Sequence, residues 1–160
     1  MTVDSLETLF EEMLKDIYYV EKKLVKTLPG MAKLAKASEL REAIQSHLSE
    51  TEGHVARLEK IFHALDKKPT AKKCAALDGL LEEANETTGE ITDERTRDAA
   101  IIASAQAVEH YEIARYGTLA CWAEEIGHTE VIDLLQQTLD EEKAADQKLT
   151  AIAEDDVNRK

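Results

Sequence analysis

Carboxylates and imidazoles recur along this chain at the spacing of a helix face, inside runs whose other members are mostly apolar. The first run reads Leu14, Ile17, Glu21, Leu24, Leu28. The second reads Leu40, Ile44, His47, Thr51, His54, Leu58, Ile61, with Glu50 beside the two histidines. A third comprises Ile102, Ala105, Glu109, Glu112, Tyr116, Leu119, and a fourth Ile132, Leu135, Leu139, Glu142, Asp146, Leu149. Steps of three and four residues place the members of each run on one side of a helix. A carboxylate left unpaired in an apolar interior is strongly destabilising even after relaxation, so four helices that each bring an acid to an apolar seam need cations there. A dinuclear metal centre supplies them. Hard oxygen donors with a minority of imidazole suit two Fe or Mn ions better than a structural Zn site, for which the thiolates are missing. Such a pair, bridged by carboxylates, can pass two electrons to O2 or peroxide.

On this reading Glu21 and Glu109 are terminal ligands, and Glu50 and Glu142 are the bridges. Glu112, one turn after Glu109, completes the shell or enters it with oxidation state. His54, four residues after Glu50, is the imidazole candidate, and Asp146 holds the corresponding place after Glu142. His47, three residues before Glu50, is either the ligand in place of His54 or a partner that orients a carboxylate. Tyr18 and Tyr116 lie within a turn or two of the acids and are candidates for hydrogen bonds around the site. His63, His110 and His128 fall off this layer.

Positioning these residues takes four long helices. The spacing predicts the first over about 3–28, capped by Thr2 or Asp4, with Pro29-Gly30 interrupting it and a kinked extension to 36. The second spans about 38–66 and stops before Asp66-Lys67-Lys68-Pro69. A weaker apolar face on Cys74, Leu77, Leu80 and Leu81 predicts a short crossover helix over about 71–88. The third long helix covers about 93–126 behind Thr92 or Asp93, and the fourth about 129–155 after Gly127. Short first and third turns make antiparallel hairpins, and the long central connection is able to cross the bundle. The expectation is one all-α domain over 1–160, a ferritin-like antiparallel four-helix bundle with a short fifth helix in the crossover. The acids check it: the midpoint of Glu21 and Glu50 lies between Ala35 and Lys36, and that of Glu109 and Glu142 between Glu125 and Ile126, both at turns inferred from Gly, Pro and caps alone. Residues equidistant from a helical turn stand at one height across a hairpin.

Composition bounds the alternatives. Two Pro, six Gly and abundant Ala, Leu, Glu and Lys in 160 residues make a helix-forming chain, and no stretch alternates with the period of a strand. A net charge of −13 repels phosphate backbones, which argues against a nucleic-acid partner and favours cations. Cys74 and Cys121 form no Cys-x-x-Cys pair and read as buried free thiols of a reducing cytoplasm. No apolar run approaches the ~20 residues that span a bilayer, and the N-terminus does not read as a signal peptide, so neither a membrane association nor export is expected. The basic run Lys67 to Lys73 reads as a solvated loop. No Gly-rich phosphate loop, nucleophile elbow or His-Glu-x-x-His helix is present.

Four segments carry a resemblance: Tyr18-Tyr19-Val20-Glu21-Lys22-Lys23-Leu24, His47-Leu48-Ser49-Glu50-Thr51-Glu52-Gly53-His54, Val108-Glu109-His110-Tyr111-Glu112-Ile113-Ala114 and Asp140-Glu141-Glu142-Lys143-Ala144-Ala145-Asp146. With Lys73-Cys74 and Gly79-Leu80 in the crossover, the chain resembles the YciE/YciF group of ferritin-like proteins over nearly its whole length. The resemblance implies a bacterial, cytoplasmic four-helix protein, a homodimer, associated with stress and described as ferroxidase-like. Glu109-x-x-Glu112 matches the rubrerythrin-like version of the wider pattern. The Glu-x-x-His usual elsewhere is replaced, since Gly53 and Ala145 stand three residues after Glu50 and Glu142, with His54 and Asp146 one step further. A metal-free structural or interaction protein that keeps a degenerate acid layer is the competing expectation.

Overall fold

The computed structural model describes residues 2–159. They form five α-helices: α1 (Leu6–Leu34), α2 (Ser38–Ala64), α3 (Ala75–Glu90), α4 (Glu94–Glu125) and α5 (Thr129–Ile152), closed by a π turn, Ala153–Val157. No strand occurs among the described residues. The start and stop signals explain most of these bounds. Ser5, rather than Thr2 or Asp4, caps α1, in a capping box with Thr8. Asp93 accepts a hydrogen bond from Thr96 N at 2.7 Å at the start of α4. Gly127, at φ +84°, ends α4, and the amides of Gly127 and His128 reach back to the carbonyls of Glu124 and Ala123 in a Schellman pattern.

Proline 29 does not interrupt α1, which runs unbroken to Leu34. Pro29 is exposed and near the helix end, so the donor it lacks belongs to the solvent side, while Leu28, Ala32 and Ala35 stay buried and hold the last turns to the core. The crossover helix starts later than the apolar pattern suggests, at Ala75, because residues 70–74 form an extended strap that delivers the Cys74 cap.

Within the core, α1 and α5 each pack against both α2 and α4, closing a ring, and α3 lies against α4. All neighbouring pairs in the ring are antiparallel. Glu7 near the start of α1 meets His128 just past α4 at 2.7 Å, while the turn after α1 meets Asp98 near the start of α4. Similarly, His54 meets Glu141 and the later Arg57 meets the earlier Thr138. It follows that α2 and α4 run the same way, and the chain between them must travel back the length of the ring. It does so along α1, where Lys67 pairs with Glu11 and Lys72 with Glu12, each at 2.7 Å, and Lys72 N donates to Lys15 O at 3.0 Å. The basic run is a solvated loop as expected, its lysines exposed, and two of them also fasten this strap.

The α1–α2 turn is held from outside its own hairpin. Ala37, the N-cap of α2, offers no side-chain acceptor. Asp98 of α4 instead accepts from Lys36 N at 2.8 Å and from Ala37 N at 2.7 Å, and it is only 2% exposed. A carboxylate there meets both the free amides and the positive end of the α2 dipole.

Candidate metal centre

Midway along the ring, the faces of α1, α2, α4 and α5 bring Glu21, His47, His54, Glu109, Glu112 and Glu142 together, all buried. Two overlapping sets have donor atoms within 4.8 Å of one another: His47, Glu109, Glu112 and Glu142, and Glu21, His54 and Glu142. Glu142 belongs to both. Each of these residues sits on the apolar stripe of its helix, so the packing that buries Leu24, Leu58, Leu119 and Leu139 also carries the six polar groups inward.

The polar atoms of this cluster do not satisfy one another. Glu21 Oε2, Glu109 Oε2, both carboxylate oxygens of Glu112 and of Glu142, His47 Nε2 and His54 Nδ1 are buried without a hydrogen-bond partner in the protein. His47 Nε2 lies 2.9 Å from Glu109 Oε1, and His54 Nδ1 lies 2.9 Å from Glu142 Oε1. Both contacts are close yet out of line for a ring N–H bond. Buried polar groups are nearly always paired, because desolvation is otherwise uncompensated. Donor atoms that converge without bonding fit a bound cation.

Charge within the cluster is correspondingly strained. Burial, then the charges of Glu142, Glu21 and Glu109, push the Glu112 carboxyl well above the usual carboxylate range. Burial and the neighbouring Glu109 and Glu21 do the same to Glu142. Burial would also raise Glu109, but contacts with Glu142 and His47 outweigh it and hold this carboxyl low. For His47, burial favours the neutral ring, yet Glu109 and Glu50 prevail and lift it to about 10. His54 is raised in the same way by Glu21 and Glu141 against the effect of burial. These shifts describe the metal-free cluster, in which protons do part of the work that cations can do.

The histidines connect the cluster to an outer layer. His47 turns Nε2 inward and places Nδ1 3.3 Å from Glu50, while His54 turns Nδ1 inward and places Nε2 2.8 Å from Glu141. Arg57 in turn donates to both oxygens of Glu141 and to Thr138 Oγ1. Each ring is thus oriented by a carboxylate on its far side, which selects the nitrogen available to the centre. Tyr116, fully buried, donates to Glu21 Oε1 at 2.6 Å.

Compared with the sequence-based assignment, the structure brings Glu21, His54, Glu109, Glu112 and Glu142 together and adds His47 to the inner layer. Two residues lie elsewhere. The Glu50 side chain is 45% exposed and reaches only His47, since position 50 is one residue off the stripe through His47, Thr51 and His54. It sits against a histidine, outside both sets of converging donor atoms. Asp146 is turned toward α4, where it accepts from Gln106 Nε2 at 3.2 Å and faces His110 at 3.1 Å, because the buried stripe of α5 passes from Glu142 to Leu149 on the other side of it. Tyr18 donates to Glu59 rather than to a cluster residue. Glu141 was not singled out in the sequence, although the need of His54 for an outer acceptor is the signal that points to it. Cys74 is buried as expected, but Cys121 is exposed. No helix among the described residues is long and apolar enough to cross a membrane.

Comparison with known proteins places this architecture. Residues 5–160 match the family described as a domain of unknown function, DUF892. The chain is 43% identical to Protein YciF of Escherichia coli K12, covering all of this chain and 97% of that protein. The crystal structure of YciF, described as an Escherichia coli stress protein, superposes with a TM-score of 0.92 at 44% identity over 99% of this chain and 100% of that one. YcfI from Rhodopseudomonas palustris, provisionally described as a structural protein, gives 0.93 at 49% identity over 94% and 96%. A protein from Xanthomonas campestris gives 0.76 at 26% identity over 97% and 95%. With five helices in the same arrangement and a family match over nearly its full length, this all-helical chain belongs to the DUF892 family, the family of YciF.

Proposed function

We propose that this chain is a ferritin-like four-helix protein that holds two Fe or Mn ions and uses them to reduce O2 or peroxide, with oxidation of Fe(II) as one form of that reaction. One observation carries the reading: eight buried oxygen and nitrogen atoms from four helices converge without partners. His47, Glu109, Glu112 and Glu142 would hold one ion and Glu21, His54 and Glu142 the other, with Glu142 shared. Such a pair of ions supplies two electrons and electrophilic assistance to a bound oxidant. The protein's own part is orientation and proton management. Glu50 and Glu141 fix which histidine nitrogen faces inward, Glu112 and Glu142 release protons as cations enter, and Tyr116 holds Glu21 by its hydroxyl. The core leucines and isoleucines around the cluster keep bulk water away. A protective role under stress fits the description of the Escherichia coli relative and the chemistry of removing Fe(II) together with an oxidant. An acidic chain that works on metal ions in the cytoplasm, alone or as a homodimer, fits the same reading.

The competing reading, a metal-free structural protein, is favoured by the close approach of each buried imidazole to a carboxylate, His47 to Glu109 and His54 to Glu142, both at 2.9 Å. It accounts for the carboxyls only in part, since a proton on Glu142 can be shared with Glu109 and one on Glu112 with Glu21, while the inward nitrogens of His47 and His54 still lack an aligned acceptor. Metal analysis after anaerobic reconstitution separates the two. We expect two ions per chain, a rise in Tm on loading, and consumption of O2 or peroxide that depends on Fe(II) or Mn(II). A protein that takes up no metal, with a Tm unaffected by chelator, overturns the proposal.

The outer carboxylates give a graded check. Glu141→Ala leaves His54 Nε2 without its acceptor and Arg57 with only Thr138, and should weaken metal affinity by about tenfold or more, as removal of an orienting partner does elsewhere. Glu50→Ala, at an exposed position, should cost less. Competition with a chromogenic chelator measures both.

A further inference from the structure

Beside the cluster, on the face where His47 and Glu109 meet, lies a partly enclosed cavity of about 130 Å³. Its walls are apolar and come from every helix: Leu24 and Leu28 of α1, Ile44 of α2, Leu81 of α3, Val108 of α4 and Leu149 of α5. His47 and Glu109 are the cluster residues that reach it, and Glu109 Oε2 is buried without a partner. Glu50 and Lys148 also border it.

We propose that this cavity binds a small, neutral, apolar organic molecule, of the size of a single aromatic ring, held against the His47–Glu109 edge of the metal centre. Three observations select that class. Most of the lining is apolar and offers water few of the two to four polar partners it needs, and apolar cavities of comparable size take up arenes. The volume admits one ring and excludes a long chain. The charge around it does not favour an anion, since Glu109 and Glu50 both border the space opposite Lys148 and His47, and the chain carries a net charge of −13. As an organic substrate or effector site beside the centre, the assignment rests on the metal reading above; as a binding site it does not.

The test uses fluorobenzene as the probe and the metal-free, full-length protein, with 19F NMR to follow the bound fraction. Saturable binding at one site per chain is expected. Ala105→Leu and Ala145→Leu fill the cavity from α4 and α5, and either should weaken the probe by about tenfold, as loss of most of a matched cavity implies. Circular dichroism verifies that each variant is folded; if one is not, the other decides. No saturable binding to the wild-type protein, or equal affinity in a folded cavity-filling variant, overturns the proposal. The probe titration uses no metal and the metal titration uses no probe, so each reading fails without the other. A linked result adds the functional half: with two ions loaded, the probe should change oxidant consumption in the wild-type protein, and an unchanged rate at saturating probe overturns the placement against the centre.

Discussion

Replacing Glu112 and Glu142 together by Gln should make the metal-free protein more stable and abolish its stabilisation by metal. Both carboxyls are fully buried, and both are pushed well above the usual range by burial and by neighbouring carboxylates, Glu142, Glu21 and Glu109 around Glu112 and Glu109 and Glu21 around Glu142. Isosteric amides remove that repulsion, and substitutions of buried charge by neutral groups commonly gain about 1 kcal/mol or more. Metal linkage works the other way. At a concentration a hundred times its dissociation constant, one bound ion adds about 2.7 kcal/mol, and the double variant should lose this because Glu142 serves both ligand sets. Thermal melts with and without metal should therefore cross over, the variant melting higher in chelator and the wild type higher in Fe(II) or Mn(II). Melts that move together in both conditions would remove the case for a centre built on these acids.

The same groups set a pH signature. Glu112 and Glu142 bind protons in the folded, metal-free protein that the unfolded chain gives up near the ordinary value of 4.5. Their contribution to stability is complete below that pH and is lost as pH rises through their folded values. His47, lifted from 6.5 to about 10, acts in the same direction over that window. Glu109, held low, opposes them only in acid, where its contribution falls away as pH drops. Metal-free wild-type protein should thus lose stability from about pH 4.5 upward relative to the Gln pair, whereas metal affinity should rise over the same range because protons and cations compete for the same atoms.

Asp98→Ala is expected to be the most destabilising change outside the cluster. It removes a buried carboxylate from two backbone amides and from the N-terminal end of α2, which has no side-chain cap of its own. Bonds from a charged acceptor and the dipole effect together suggest a loss of about 2 kcal/mol, or about 5 °C in Tm for a chain of this length. Asp98→Asn should recover part of it, since one amide oxygen can still accept. Equal Tm values for the wild type and the Ala variant in a calorimeter would show that the turn is held by other contacts.

Asp98 also shows where reading the sequence stops. An acid early in α4 looks like a simple complement to that helix's own dipole, and nothing local reveals that its partners are amides of another hairpin sixty residues away. The stripes themselves were legible, because burial of Leu, Ile and Val leaves a three-and-four spacing that any helix must show. The placement of Glu21, His54, Glu109, Glu112 and Glu142 on one inner layer followed from those stripes. Glu50 was assigned from beside its stripe, and the structure sets it aside at the rotation that one position on a helix imposes; Asp146 was placed on the stripe, but the buried face of α5 passes from Glu142 to Leu149 and leaves it turned toward α4. His47, which was on the stripe, belongs inside. Glu141 was invisible for a similar reason: a residue that orients a ligand from outside has no periodic signature, only a partner that needs it. Pro29 misled in the other direction, because a helix breaker acts only where its missing donor matters.

The return of the chain along α1 divides the cluster into unlike halves. Glu21, His47 and His54, on α1 and α2, give one hairpin two bases and a single acid; Glu109, Glu112 and Glu142, on α4 and α5, give the other three acids and no base. Neither hairpin matches a copy of itself, since one would meet a surplus of imidazoles and the other a surplus of carboxyls, so the two halves are complementary in the type of donor they bring.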